Sequence, residues 1–284
     1  ATLVNEGQVY QADVLIENQI IKEISLKITI DADYVIDAKG LHLLPGVIDD
    51  QVHFREPGLT DRGNIKSESL AAIAGGTTSF MDMPNVLPPT LTNDLWLEKI
   101  NIASRYASAN FSFYMGSSNE NIDEIRAINP LEVCGLKVFM GASTGNLLVD
   151  NQESLDSIFR EAPVIITTHC EDTPMIKAKE QEYIDKYGND IPIEAHAEIR
   201  SREACYKSSK KAVDLATKFN SNLHILHIST KEELDLFSTI PLENKKITAE
   251  VCVPHLFFSS EDYLTKGTLI KCNPSIKHIE DQLA

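Results

Sequence analysis

Pro45 to Gly58 reads PGVIDDQVHFREPG. Apolar Val47 and Ile48 lead into Asp49, Asp50, Gln51, Val52 and His53, and Arg55, Glu56 and a Pro-Gly turn follow. This is the pattern of a buried strand that ends in a loop loaded with polar groups. On a metal-bearing strand the alternating ligand positions would be 51 and 53, because side chains repeat every second residue on one face. Position 51 holds Gln where a His would serve better.

Upstream of this stretch, residues 1–45 are short in period. VYQADVLIE and QIIKEISL flank a turn at Glu17-Asn18, and DYVIDAKGLHLLPG adds two short strands around Lys39-Gly40. The expectation is a small antiparallel β unit. Downstream, over residues 46–284, apolar strand runs alternate with helical stretches. The strand candidates are GVIDDQVH, TTSFMDM, NFSFYMG, GLKVFM, VIITTH, LHILHIS and KITAEVCV. Helical candidates between them include 66–74, 94–109, 122–128, 154–161, 201–219 and 231–237. Such alternation predicts an α/β fold with a parallel sheet covered by helices. About seven strand–helix units can be counted, where a (β/α)8 barrel has eight. The competing doubly wound sheet would carry a glycine-rich phosphate turn, and none is present.

Polar residues favour the barrel, whose sites lie at the C-terminal ends of several strands. Gln51 and His53 end the first strand, and Asp82 and Asn85 follow the second. Lys137 lies within the fourth, His169 closes the fifth and His227 is late in the sixth. Three of eight histidines near strand ends, with a Lys in an apolar strand, point to a metal site. Burial would push Lys137 toward a neutral amine, which can react with carbon dioxide to form a carbamate able to bridge two metals. A Lys paired with a nearby acid is the equal alternative. His224, three residues before His227, is read as packing, because strand alternation turns the two to opposite faces. His42, His196 and His278 read as surface or turn residues, and His255 lies close enough to the seventh strand to reach a pocket.

A net charge of −16 argues against nucleic acid as a partner, because a phosphate backbone needs a basic face. No apolar run approaches the roughly 18 residues that a membrane span needs. Five cysteines, an odd number with no C-x-x-C pair, suggest reduced thiols and a cytoplasmic protein. No Gly-x-Ser-x-Gly elbow appears.

Six motifs together resemble those of dihydroorotases in the amidohydrolase superfamily: PGVIDDQVHFREPG, GGTTSFMDMPN, GLKVFMGASTGN, THCED, LHILHIST and KCNPSIK. The resemblance runs over essentially the whole chain. Allantoinases and hydantoinases share the metal residues but usually lack the Arg at the position of Arg55. The resemblance implies a TIM barrel of the metal-dependent hydrolase type, here incomplete at about seven strands, with residues 1–45 as part of a β-sandwich. It implies one or two Zn2+ ions held by His53, Lys137, His169 and His227, with Lys137 carbamylated. It implies a substrate carboxylate bound by Arg55 and Asn85, with Asn273 in the same pocket. The implied reaction is the reversible closure of N-carbamoyl-L-aspartate to L-dihydroorotate in pyrimidine synthesis. A homodimer, and association with a carbamoyltransferase, are the partners it suggests.

Two departures qualify this. Gln51 stands where the family's Asp-x-His-x-His motif has its first His, which weakens one metal position. The family's catalytic Asp, at the end of an eighth strand, has no counterpart up to Ala284. A seven-stranded barrel would expose two edges. The expectation is therefore a part of a longer enzyme, with a non-catalytic dihydroorotase-like scaffold or an allantoinase- or hydantoinase-type hydrolase as alternatives.

Overall fold

A computed structural model describes residues 1–141 and 145–284. Five short strands open the chain: β1 (Thr2–Asn5), β2 (Gln8–Gln11), β3 (Asp13–Glu17), β4 (Ile20–Ser25) and β5 (His42–Leu43). β1 pairs antiparallel with β2, and β3 with β4. β5 pairs parallel with β1, so this segment is not purely antiparallel. Tyr34 to Lys39 forms no strand, in contrast to the sequence expectation.

The remaining strands are β6 (Val47–Val52), β7 (Thr77–Asp82), β8 (Asn110–Phe113), β9 (Met115–Gly116), β10 (Leu136–Phe139), β11 (Ile166–His169), β12 (Leu223–Ile225) and β13 (Ile247–Ala249). All pairings among them are parallel, in the orders β6-β7-β8 and β9-β10-β11-β12-β13. β8 and β9 are one course of chain interrupted at Tyr114, whose N–H still donates to the Asp82 carbonyl at 3.1 Å. Counted by course, seven barrel strands stand among the described residues, as the alternation predicts. The α/β architecture is an incomplete (β/α)8 barrel with an N-terminal β segment.

Helices cover this sheet through apolar faces at helical spacing. Gln152–Glu161 is capped by Asn151, whose side chain accepts from the N–H groups of Glu153 and Ser154, and it buries Leu155, Ile158 and Phe159. Arg202–Phe219 starts at the Ser201 cap and stops at Asn220, which takes the left-handed conformation that ends helices. Both faces pack on a core built from the strands, including Phe80, Phe113, Leu136, Val138, Ile166 and Ile225. Thr173–Tyr187 is a helix that periodicity misses, because Ile176 is its sole buried side chain.

Two strands end earlier than the apolar runs suggest. β12 stops at Ile225, and His227 takes a positive φ of 41°. β13 stops at Ala249, and Val253–Phe257 is a short helix with Pro254 in its first turn. Period-two alternation therefore does not carry from His224 to His227, and the opposite-face reading of that pair lapses.

A buried ion pair braces the second strand. Lys99, on the helix Asn93–Tyr106, places Nζ 2.6 Å from Asp82 Oδ2, and both side chains are fully buried. Lys99 also donates to the Met83 carbonyl at 2.8 Å, and Asp82 Oδ1 accepts the Phe54 N–H at 2.8 Å. This fixes the backbone between His53 and Arg55. Among the described residues, no helix is long and apolar enough to cross a membrane.

Candidate metal centre

His169 closes β11 and His227 lies two residues past β12. Both are buried, and His169 Nδ1 lies 3.1 Å from His227 Nε2. The rings stand edge to face at 76°. Neutral imidazoles are what a metal requires, and burial depresses the pKa of both rings. For His227, the neighbouring His169 and Lys137 charges act in the same direction.

Lys137 on β10 is 1% exposed, and burial brings its ammonium down to about 7. No carboxylate lies within ion-pair distance of it among the described residues, and its Nζ sits 4.7 Å from the Phe139 ring centre. The acid-paired alternative for Lys137 is thus not realised. An amine with a large neutral fraction near pH 7 is competent for carbamate formation. The GLKVFMGASTGN motif continues into residues 142–144, which lie outside the described residues.

His53 follows β6, and its Nδ1 is 2.8 Å from Asn85 Oδ1. Burial, with the charges of Arg55 and Lys137, brings its pKa down to about 3. Asn85 is thus placed as the partner of His53. Arg55 takes a φ of 69° and forms no ion pair among the described residues. Gln51 does not join the imidazoles; its Oε1 accepts from Cys252 Sγ at 3.6 Å. Asn273 is exposed beside Pro274.

The donor set fits a zinc ion at one end of the site. His169 Nδ1 and His227 Nε2 converge on each other, while His227 Nδ1 is buried without a partner among the described residues. The fit is poorer at Gln51, a neutral amide already engaged with a thiol.

Sequence reasoning missed a second polar group. His224 is not packing: its Nδ1 is 2.8 Å from Thr248 Oγ1 and its Nε2 is 3.3 Å from Glu250 Oε2. Asp50 reaches the same point, 3.9 Å from His224 Nε2. Ligating atoms of Asp50, His224 and Glu250 lie within 4.8 Å of one another, a candidate metal-coordinating trio. Burial and the adjoining Glu250 carboxylate raise Asp50 to about 6. Burial opposes ionisation of Glu250, but hydrogen bonds from His224 and Asp50 outweigh it and hold it low.

The other histidines serve structure. His196 is half-buried rather than superficial, and its Nε2 bonds the Cys272 carbonyl at 2.8 Å. His255 Nε2 bonds the Pro274 carbonyl at 3.0 Å. His278 caps the final helix, Ile279–Leu283.

The chain is similar to known proteins along nearly its whole length. An allantoinase from Bacillus velezensis is 30% identical over 287 residues, covering 99% of this chain and 63% of that protein. A dihydroorotase from Methanosarcina acetivorans is 32% identical over 277 residues, covering 94% and 58%. An L-hydantoinase structure from Arthrobacter aurescens superposes with a TM-score of 0.92 at 26% identity, covering 99% of this chain and 63% of that one. The chain belongs to the cyclic-amidohydrolase family of the amidohydrolase superfamily.

No family model matches the chain. The chain spans about three fifths of the length of these relatives. Membership extends to dihydroorotase-, allantoinase- and hydantoinase-like proteins together, and does not single out the dihydroorotases that the motifs resemble.

Proposed function

We propose that this protein is a zinc-dependent cyclic amidohydrolase of the allantoinase–hydantoinase kind, acting on the C–N bond of a cyclic ureide or amide. The convergence of His169 Nδ1 and His227 Nε2 at 3.1 Å, beside a buried Lys137 with no acid partner among the described residues, carries this reading. Zinc bound there supplies Lewis acidity to the ring carbonyl. His53, His169, His227 and Lys137 would hold it, with Lys137 as its carbamate. Asn85 orients His53 through the 2.8 Å contact. Lys137, His169 and His227 are all buried, and exclusion of water around them strengthens every charge interaction among them.

A second reading is dihydroorotase, and Arg55 favours it. Its guanidinium lies close enough to His53 to depress that ring and has no acid partner among the described residues. An unpaired planar fork of this kind suits a substrate carboxylate. Incubation of zinc-loaded protein with allantoin, hydantoin, dihydrouracil and dihydroorotate separates the readings. Turnover of neutral rings alone supports the first, and turnover of dihydroorotate alone supports the second. With no turnover of any ring, the non-catalytic scaffold reading replaces both.

A further inference from the structure

We infer that Glu171, anchored by Arg200, is the positioning residue that sets the tautomer of His169 and thereby the zinc affinity of the site. This rests on the metal reading above and names a determinant within it.

Glu171 follows His169 by two residues and is completely buried. Its Oε2 lies 2.8 Å from His169 Nε2 and also accepts from Arg200 Nη1. Arg200 is itself held, since Ser275 Oγ donates to its carbonyl at 3.1 Å. Glycine at 141 permits the backbone approach, because a Cβ there would run into the Glu171 carbonyl. The carboxylate is an acceptor only, so His169 must carry its proton on Nε2. Nδ1 is then the lone-pair nitrogen, and it is Nδ1 that faces His227.

Among the described residues His227 has no equivalent support, as its Nδ1 is buried without a partner there. The two rings are therefore unequal. His169 is held ready with its lone pair toward the site, whereas His227 depends on the metal and on the turn at its positive φ. A carboxylate behind a ligating imidazole typically changes metal affinity by about 10- to 100-fold.

The test compares wild type with Glu171→Gln by two readouts. Ring nitrogen NMR of metal-free wild type should show His169 as the Nε2–H tautomer. Competition with a chromophoric chelator should show zinc bound about 10- to 100-fold more weakly by Glu171→Gln. Should Glu171→Gln not fold, Arg200→Gln, which leaves the His169–Glu171 bond but frees its anchor, should weaken zinc in the same direction with an unchanged circular dichroism spectrum. An Nδ1–H tautomer in wild type overturns the inference. So does a folded variant whose melting point falls while its zinc affinity is unchanged. If wild type takes up no zinc yet shows Nε2–H, the metal reading falls and the positioning of His169 by Glu171 stands.

Discussion

His169 Nδ1 and His227 Nε2 lie 3.1 Å apart, although 58 residues separate them in the chain. Two buried imidazoles that meet edge to face form a pair whose lone pairs a cation would share. His227→Asn should abolish tightly held zinc while leaving the fold intact. Asn is chosen because it tolerates the positive φ at this position better than Ala. Metal analysis after dialysis, with circular dichroism, checks this; retained zinc would remove His227 from the ligand set.

Gln51 Oε1 accepts from Cys252 Sγ at 3.6 Å, at a position where a His would offer an imidazole donor. Gln51→His should raise the zinc equivalents held per chain. Two tightly bound equivalents already present in the wild type would show that Gln51 weakens nothing.

Asp82 and Lys99 form a fully buried pair at 2.6 Å. Removing one member leaves an uncompensated charge, so Lys99→Met should destabilise by about 3–5 kcal/mol. The double variant Asp82→Leu/Lys99→Met should recover part of that loss, and the coupling is read from a urea-unfolding cycle. Equal losses in single and double variants would mean that the pair acts through packing alone.

Asp50 has its pKa raised to about 6 beside Glu250, from 3.8. Between these values the folded protein keeps a proton that the unfolded chain has released, so this residue makes stability fall as pH rises. Asp50→Asn should therefore stabilise at pH 7–8. The side chain is 47% exposed, and after discounting for solvent screening the gain is about 1 kcal/mol. Below pH 3.8 the gain should vanish. A pH-independent difference in melting would place the effect elsewhere than in the titration of Asp50.

Arg55→Ala should act mainly on KM, costing about 1.5–3 kcal/mol if the guanidinium binds a substrate carboxylate. The loss should appear with dihydroorotate and be absent with an uncharged hydantoin. Equal losses on both would argue that Arg55 supports His53 instead.

Much of the candidate site was legible before any coordinates. His53, Lys137, His169 and His227 sit at or near the ends of apolar runs, and a polar side chain there stands out against its neighbours. The burial of Lys137 follows from the same local contrast. His224 was misread because alternation was extended past Ile225, where β12 stops. Glu171 lies in the quoted THCED motif, yet its role depends on Arg200, 29 residues away. The helix Thr173–Tyr187 was overlooked because its polar surface carries almost no apolar stripe.

Alone, the sequence determined the alternation of parallel strands and helices and the set of strand-end residues. These are local properties: hydrophobic period, turn residues and caps act within a few positions of one another. Tertiary structure decided which groups meet. Gln51 touches Cys252 across 201 residues, and Asp50 joins His224 and Glu250 in the same way. Such contacts depend on how the β6-β7-β8 sheet is set against the ends of β12 and β13 in the second sheet, and no local pattern encodes that placement.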